Sequence, residues 1–94
     1  MFEARIAGDN EVHLSGRFDA SQVDKARSVF DSITTTAIVD FTNLDYISSG
    51  GLSVLLATQK RLGQNGQCLK LRNMNVHVRQ VFEYARFSVI FDIA

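Results

Sequence analysis

Apolar and polar residues alternate in the first two segments of the chain, over residues 2–6 and 12–14. A period of two is typical of strands that bury one face. The intervening sequence Gly8-Asp9-Asn10 consists of residues that favour tight turns. The pattern predicts an antiparallel hairpin whose apolar side faces a core.

Helical spacing follows, and it predicts a first helix from Ser21 to Ser32. The hydroxyl of Ser21 can cap the helix, with Asp24 three positions further on, as in a capping box. The stripe that this helix would bury consists of Val23, Ala26, Val29, Phe30 and Ile33.

A central strand is predicted next. Residues 34–36 are threonines, which favour strands, and the apolar run of residues 37–39 is typical of a strand that is buried on both faces. The run closes at Asp40, and a polar connection leads to the sequence Ser48-Ser49-Gly50-Gly51, after which leucines recur at helical spacing. This order predicts a strand, a turn and a second helix with Ser49 as its N-cap.

The rest of the chain alternates in the same way. Residues 63–66 contain two glycines that end the second helix, and residues 68–71 are predicted to form another strand. Asn75 can cap a third helix that ends near Arg86. Residues 87–93 suit a final short strand or a turn, and periodicity does not separate these alternatives.

The order of elements predicts one α/β domain over residues 1–94. Its core would be a mixed β-sheet with an N-terminal hairpin and helices covering the sheet. In such sheets functional residues gather at the carboxyl ends of parallel strands, where we expect Asp40 and the Ser48-Ser49 turn.

Charge and composition narrow the class of partner. Ten basic residues balance ten acidic ones and form no extended run, so nucleic acid and membrane surfaces are not expected partners. The single cysteine, Cys68, excludes an internal disulfide. We find neither a signal segment nor an apolar stretch of membrane-spanning length, and we expect a cytoplasmic protein that binds another protein or a small ligand. The oligomeric state stays open.

No self-contained catalytic or metal-binding constellation is visible. A P-loop needs a lysine after its glycines, but Leu52 follows Gly51, and the Gly-x-Ser-x-Gly motif is absent. His13 and His77 are predicted to lie away from Ser49, and two isolated histidines with one cysteine do not make a metal site. We expect no enzymatic activity, no metal and no cofactor.

Two interpretations of the second helix's start stay open. A helix N-terminus exposes unpaired N–H groups and a positive dipole end, which suit a negatively charged group. Glycine weakens a helix by up to about 1 kcal/mol, but Gly50 and Gly51 keep the backbone bare, so that a partner or a phosphoryl donor can approach Ser49. Alternatively, Ser49 is only a cap, and Gly51 only permits tight packing of helix on strand.

These segments resemble the STAS domains of bacterial anti-sigma factor antagonists. The resemblance is carried by residues 38–41 and 46–52, by Val54-Leu55-Leu56, by residues 14–20 before the first helix and by residues 78–82 in the third helix. It covers nearly the whole chain and implies the STAS fold. The terminal helix of many relatives would be reduced or absent, which would leave Phe87 and Phe91 exposed as a partner surface.

The resemblance also implies partner switching in transcription regulation. In that family, the unphosphorylated domain binds an anti-sigma factor that is also a serine kinase, and sigma is released. The kinase then phosphorylates the serine that matches Ser49, and a separate serine phosphatase reverses the modification. Many antagonists have aspartate before this serine and serine or alanine after it, where this chain has Ser48 and Gly50. Ser48 is therefore an alternative acceptor.

The implied partner-binding surface comprises Asp19, Ser48, Gly50, Gly51 and Leu52. For Asp19 the alternative is a turn residue ahead of the first helix. A second class of function is a STAS scaffold or regulatory module that is never phosphorylated and works in a sensory or transporter complex. A third class, a small enzyme or nucleotide-binding protein, rests on the helix N-terminus alone.

Overall fold

A five-stranded mixed sheet forms the centre of the computed structural model, which describes residues 1–94. The strands lie side by side in chain order, with β1 antiparallel to β2 and all other neighbours parallel. Their bounds are β1 Glu3–Ile6, β2 Glu11–Phe18, β3 Ala37–Ile47, β4 Leu69–Arg72 and β5 Asp92–Ile93. The predicted hairpin and the mixed α/β architecture are confirmed.

Three α-helices connect the parallel strands. They are α1 Val23–Phe30, α2 Ser49–Gly63 and α3 Val76–Tyr84. Asn75 caps α3 as predicted, because its side-chain oxygen accepts a hydrogen bond of 2.8 Å from the N–H of Val78. The final segment contains both predicted alternatives: a 3₁₀ turn over Phe87–Val89 precedes β5. None of the helices combines the length and the apolar composition that crossing a membrane requires.

The first helix begins differently from the prediction. No side chain caps α1: Gln22 lies at its N-cap position and makes no capping hydrogen bond. Asp19 caps the turn before it, since its carboxylate accepts hydrogen bonds from the N–H of Ser21 at 3.0 Å and from its hydroxyl at 2.6 Å. A 3₁₀ turn over Ala20–Gln22 then leads into α1, which ends at Phe30. The Ser21 hydroxyl is held by Asp19, so it does not cap the helix.

The central strand is longer than predicted. β3 does not close at Asp40 but continues to Ile47, and residues 34–36 lie outside it. Two β-bulges interrupt its pairing with β2, one between Asp40 and Asn43 and one at Asp45. Each bulge reverses the alternation of side chains, so the buried residues in this half of the strand are spaced three apart: Phe41, Leu44 and Ile47.

The helices pack on one face of the sheet and enclose an aromatic core. The rings of Phe41 and Phe82 meet edge to face, with 5.9 Å between centroids. The prediction that Phe87 and Phe91 are exposed is wrong. Their rings lie 6.2 and 5.8 Å from that of Phe82, and Phe91 is buried. The 3₁₀ turn packs on α3 and β5 pairs with β4, so both rings are covered within the domain.

The opposite face of the sheet is polar and carries no helix. Half-buried side chains of β2 and β3 lie on it, among them Glu11, His13 and Asp40. The guanidinium of Arg17 stacks on the ring of Tyr46, 4.3 Å from its centroid. One layer of helices on one face therefore accounts for the whole core.

Candidate functional site

The start of α2 is capped by Ser48 and not by Ser49. Ser48 has extended backbone angles, and its hydroxyl oxygen accepts a hydrogen bond of 3.3 Å from the N–H of Gly51. Its carbonyl accepts the first intrahelical bond, from the N–H of Leu52 at 2.9 Å. The prediction that placed Ser49 at the N-cap is therefore wrong by one residue. Two successive serines offered the same chemistry, and the backbone conformation decides between them.

Ser49 is the first residue of α2, and its side chain is exposed. Its hydroxyl makes no hydrogen bond within the protein, whereas its carbonyl accepts one of 3.0 Å from the hydroxyl of Ser53. Because Ser48 already caps the helix, the Ser49 hydroxyl has no structural task. It stands at the end of the helix where the peptide dipole is positive.

Gly50, Gly51 and Leu52 pack the start of α2 against the neighbouring elements. A Cβ on Gly51 would lie 2.8 Å from Ile47 and 3.0 Å from the ring of Phe18, and a Cβ on Gly50 would lie 3.1 Å from Val23. Gly51 and Leu52 are both buried, so neither presents a surface to another molecule. For Gly51 the structure therefore agrees with the packing interpretation: it lets α2 lie close to the ends of β2 and β3.

Asp19 lies at the adjacent end of β2. The neighbouring strand ends are fixed by a hydrogen bond of 2.9 Å from the N–H of Ser48 to the carbonyl of Phe18. Asp19 caps the 3₁₀ turn by accepting the N–H of Ser21 and also accepts the Ser21 hydroxyl; the turn role is one of the two roles that the sequence left open for Asp19. Ala20 in the same turn lies 3.5 Å from the Cβ position of Gly50. The capped turn and the start of α2 thus form one continuous surface at the carboxyl ends of β2 and β3.

Asp40 lies within β3 and organises the first bulge. Its carboxylate accepts hydrogen bonds from the N–H of Thr42 at 2.9 Å, from the Thr42 hydroxyl at 2.5 Å and from the Asn73 amide at 3.3 Å. Burial alone would raise the pKa of Asp40, but these bonds and the charge of nearby His13 outweigh it, and the pKa lies below its usual value. The carboxylate is therefore structural, as the sequence suggested.

No general base accompanies the serines. His13 lies in β2, where its ring is 2.8 Å from a carboxylate oxygen of Glu11 and 3.7 Å from one of Asp40. His77 lies in the first turn of α3 and makes no hydrogen bond to either serine. The structure contains no group of three histidine, cysteine or acidic side chains that could hold a metal ion. The Ser49 hydroxyl therefore has no neighbouring group in this structure that would activate it as a nucleophile.

Three residues of this site were not identified from the sequence. Phe18 and Ile47 form the apolar floor under Gly51, and Tyr46, stacked with Arg17, flanks the same strand ends on the polar face. Their importance depends on the register of β2 against β3, in which Arg17 pairs with Tyr46 and Phe18 with Ile47. The two bulges set that register, and the sequence pattern does not reveal them.

Comparison with protein families matches almost the whole chain to one model. A family described as "Mlab, STAS domain" matches residues 3–92. BtrV of Bordetella bronchiseptica, named as an anti-sigma factor antagonist, is 41% identical over 75 residues, which are 80% of this chain and 59% of BtrV. The matched segment therefore spans less than two thirds of that relative.

Solved structures share the fold. SpoIIAA, an anti-sigma factor antagonist, matches in its unphosphorylated form with a TM-score of 0.76 and 23% identity, over 100% of this chain and 88% of SpoIIAA. The phosphorylated form of SpoIIAA, described as a Bacillus cell fate determinant, matches with a TM-score of 0.71 and 21% identity, over 100% and 91%. Both forms of that protein therefore have the architecture described above.

Proposed function

Since this chain belongs to the STAS domain family, we propose that it is a partner-switching antagonist of an anti-sigma factor, with Ser49 as the residue whose phosphorylation ends the interaction. The unphosphorylated domain binds the anti-sigma factor, which is also its serine kinase, and so prevents that factor from holding sigma. A separate phosphatase restores the binding form. The exchange takes place in the cytoplasm, and the domain takes part as a binding module and substrate, not as an enzyme.

One observation carries this proposal: capping and exposure are divided between two neighbouring serines. Ser48 accepts the hydrogen bond from Gly51, and Ser49 keeps an exposed hydroxyl that has no partner in the protein. A phosphate on Ser49 would leave the cap intact and would add negative charge at the positive end of the helix dipole. Modification at this position can therefore change the surface without unfolding the domain.

The proposed contact surface surrounds Ser49. It includes the half-buried residues Asp19, Ser48 and Gly50, which lie on the capped turn and the start of α2. Gly51 and Leu52 hold this surface in place but are themselves buried. A phosphate of roughly −1.5 to −2 charges at its centre would repel acidic groups of a partner and would need to be desolvated on binding.

Phosphorylation with a defined control tests the proposal. The protein would be incubated with a cognate anti-sigma kinase and ATP, and the modified residue identified by mass spectrometry. We expect one phosphate, on Ser49, and none in Ser49→Ala. Ser53→Ala is the matched control, because Ser53 is exposed one turn further along α2 but donates its hydroxyl hydrogen bond to the Ser49 carbonyl. Incorporation that Ser49→Ala leaves unchanged would contradict the proposal, and a phosphate on Ser48 would move the acceptor by one residue.

BtrV and SpoIIAA, both named as anti-sigma factor antagonists, favour this function over a scaffold that is never modified. The scaffold alternative predicts stable association with a partner that is not a kinase. Affinity capture with the wild-type protein and with Ser49→Asp separates the two. A partner retained equally by both proteins would favour the scaffold.

A further inference from the structure

The outer edge of β1 is the open side of the sheet next to the hairpin. β1 pairs only with β2, and the N–H of Ala7 donates a hydrogen bond of 2.8 Å to the carbonyl of Glu11. In an antiparallel ladder such bonded pairs recur at every second residue. Odd-numbered residues of β1 therefore bond to β2, and even-numbered residues direct their N–H and C=O groups away from the sheet.

Only one end of this edge is covered. The ammonium of Lys25 in α1 donates a hydrogen bond of 2.9 Å to the carbonyl of Phe2, which is one of the outward groups. The ladder leaves the outward backbone groups of Ala4 and Ile6 without a partner in β2, and the side chain of Ile6 is 55% exposed. The chain contains no proline that would block pairing. Edge strands are usually protected along their length, because open backbone groups pair readily with another strand.

The side chains on this edge are self-complementary in one register. When two copies of β1 pair antiparallel about a two-fold axis at Ala4, the outward groups of Ala4 bond to those of the second copy. Glu3 then lies opposite Arg5 of the second copy, and Arg5 opposite Glu3. Ile6 lies opposite Phe2 of the second copy, on the face that carries the core; because Phe2 is already buried, the exposed side chain of Ile6 is the apolar group that this pairing can cover. Glu3 and Arg5 are both exposed, and the one side-chain hydrogen bond of Arg5 is to the His13 ring, at 3.4 Å.

Neighbouring registers are unfavourable. A shift of two residues in one direction places Glu3 opposite Glu3, and a shift in the other direction places Arg5 opposite Arg5. Like charges opposite each other destabilise a strand pair. A shift of one residue would move every side chain to the wrong face. Charge and side-chain direction therefore select a single arrangement.

We propose that β1 is a homodimerisation edge, at which two copies of this chain pair antiparallel about Ala4 and extend the sheet across both domains. The edge is only four residues long, so the interface falls below the roughly 1,200–2,000 Å² of stable complexes. The dimer is accordingly weak and forms at high concentration. It does not depend on Ser49 or on an anti-sigma factor.

Sedimentation equilibrium of the purified chain, from about 10 μM to about 1 mM, tests this proposal; these concentrations bracket the weak affinity that such a small interface allows. We expect reversible dimerisation in the wild type. Ala4→Pro should leave a monomer, since it removes an outward N–H and no bond of the β1–β2 ladder. Circular dichroism and a thermal melt would verify that this variant folds.

Charge variants provide a second, independent measurement. Glu3→Arg and Arg5→Glu should each weaken self-association by roughly tenfold or more, because both cross-strand pairs become like-charged. An equimolar mixture of the two variants should pair with about wild-type affinity, since opposite charges then face each other again. A wild type that stays monomeric at about 1 mM would overturn the proposal. So would a dimer that is insensitive to Ala4→Pro and to both charge variants, because it would use another surface.

Discussion

The backbone of Gly51 lies directly against the ring of Phe18, so closely that a Cβ on Gly51 would be 3.0 Å from the ring. Ile47 closes the other side at 2.8 Å. The first turn of α2 is thus seated on the ends of β2 and β3, and its position depends on the absence of one side chain.

Gly51→Ala should therefore lower the free energy of unfolding by about 1–3 kcal/mol, since the added methyl must displace an aromatic ring or the helix. Gly50→Ala is the matched control. The closest neighbour of its Cβ would be the end of the Val23 side chain, at 3.1 Å, while Ala20 and Ser48 lie at the ordinary contact distance of 3.5 Å, and helix propensity favours alanine there. Urea denaturation of both variants measures the difference. Equal stability of the two variants would contradict the packing role of Gly51.

Replacing Ser48 should lower the stability of the fold, whereas replacing Ser49 should not. Ser48→Ala removes the cap and should cost about 1 kcal/mol of unfolding free energy. Ser49→Ala should change stability by less than ~0.5 kcal/mol, because its hydroxyl is exposed and has no partner in the protein. Thermal or urea unfolding under identical conditions measures both. A larger loss of stability in Ser49→Ala than in Ser48→Ala would contradict the assignment of Ser48 as the cap.

A fixed negative charge at Ser49 should weaken binding without harming the fold. Under the proposed function, Ser49→Asp should raise the dissociation constant for the anti-sigma factor roughly tenfold or more, because the charge lies within the contact surface. Its unfolding free energy should stay equal or rise slightly, since a negative charge suits a helix N-terminus. Calorimetry with Ser53→Asp as control tests this. Equal affinity of wild type and Ser49→Asp would argue against a charge switch.

The Asp40 carboxylate should contribute to stability in a pH-dependent way. Its pKa is lower in the folded protein than its usual value of 3.8, so the folded state favours the ionised form. That contribution is complete above the unfolded pKa and is lost as the pH falls through the folded pKa. Asp40→Asn should therefore be less stable than the wild type near pH 7, and the gap should narrow below about pH 4.

Urea denaturation at a series of pH values measures that gap. Asp45→Asn is a suitable control, because Asp45 is an exposed carboxylate in the same strand with no hydrogen bond to the protein. A gap between wild type and Asp40→Asn that is the same at pH 7 and pH 3 would show that ionisation of Asp40 does not stabilise the fold.

Periodicity predicted most of the fold, and its failures have local causes. The N-terminal hairpin, β4, α2 and α3 with its Asn75 cap follow from regular patterns and are found close to where they were expected. The second half of β3 was mistaken for a polar connection, because the two bulges space its buried residues three apart instead of two. A bulge is stabilised by contacts such as that between Asp40 and Thr42, which a hydrophobicity pattern does not record.

The candidate site was located correctly as a segment but not in its details. Turn chemistry and the following leucines placed a helix start at residues 48–51. Assigning the cap to Ser49 failed, because either serine can accept the same hydrogen bond and the choice depends on one pair of backbone angles. Gly51 was open to two interpretations, since only the tertiary contact with Phe18 shows what occupies the space beside it.

The paired bulges of β3 determine which changes of length this domain tolerates. Ten residues of β3, from Ile38 to Ile47, run beside eight of β2, from Glu11 to Phe18. Each bulge takes up one extra residue of β3, so that Leu44 still pairs with Gly16 and Ile47 with Phe18, and both stay on the buried face. Deleting the extra residue of one bulge should therefore remove that bulge and leave Ile47 beneath Gly51. A deletion between Ile38 and Asp40, where the pairing is regular, has no extra residue to take up and would turn buried side chains to the other face. Changes of one residue in length should accordingly be tolerated at the bulges and not in the regular half of β3.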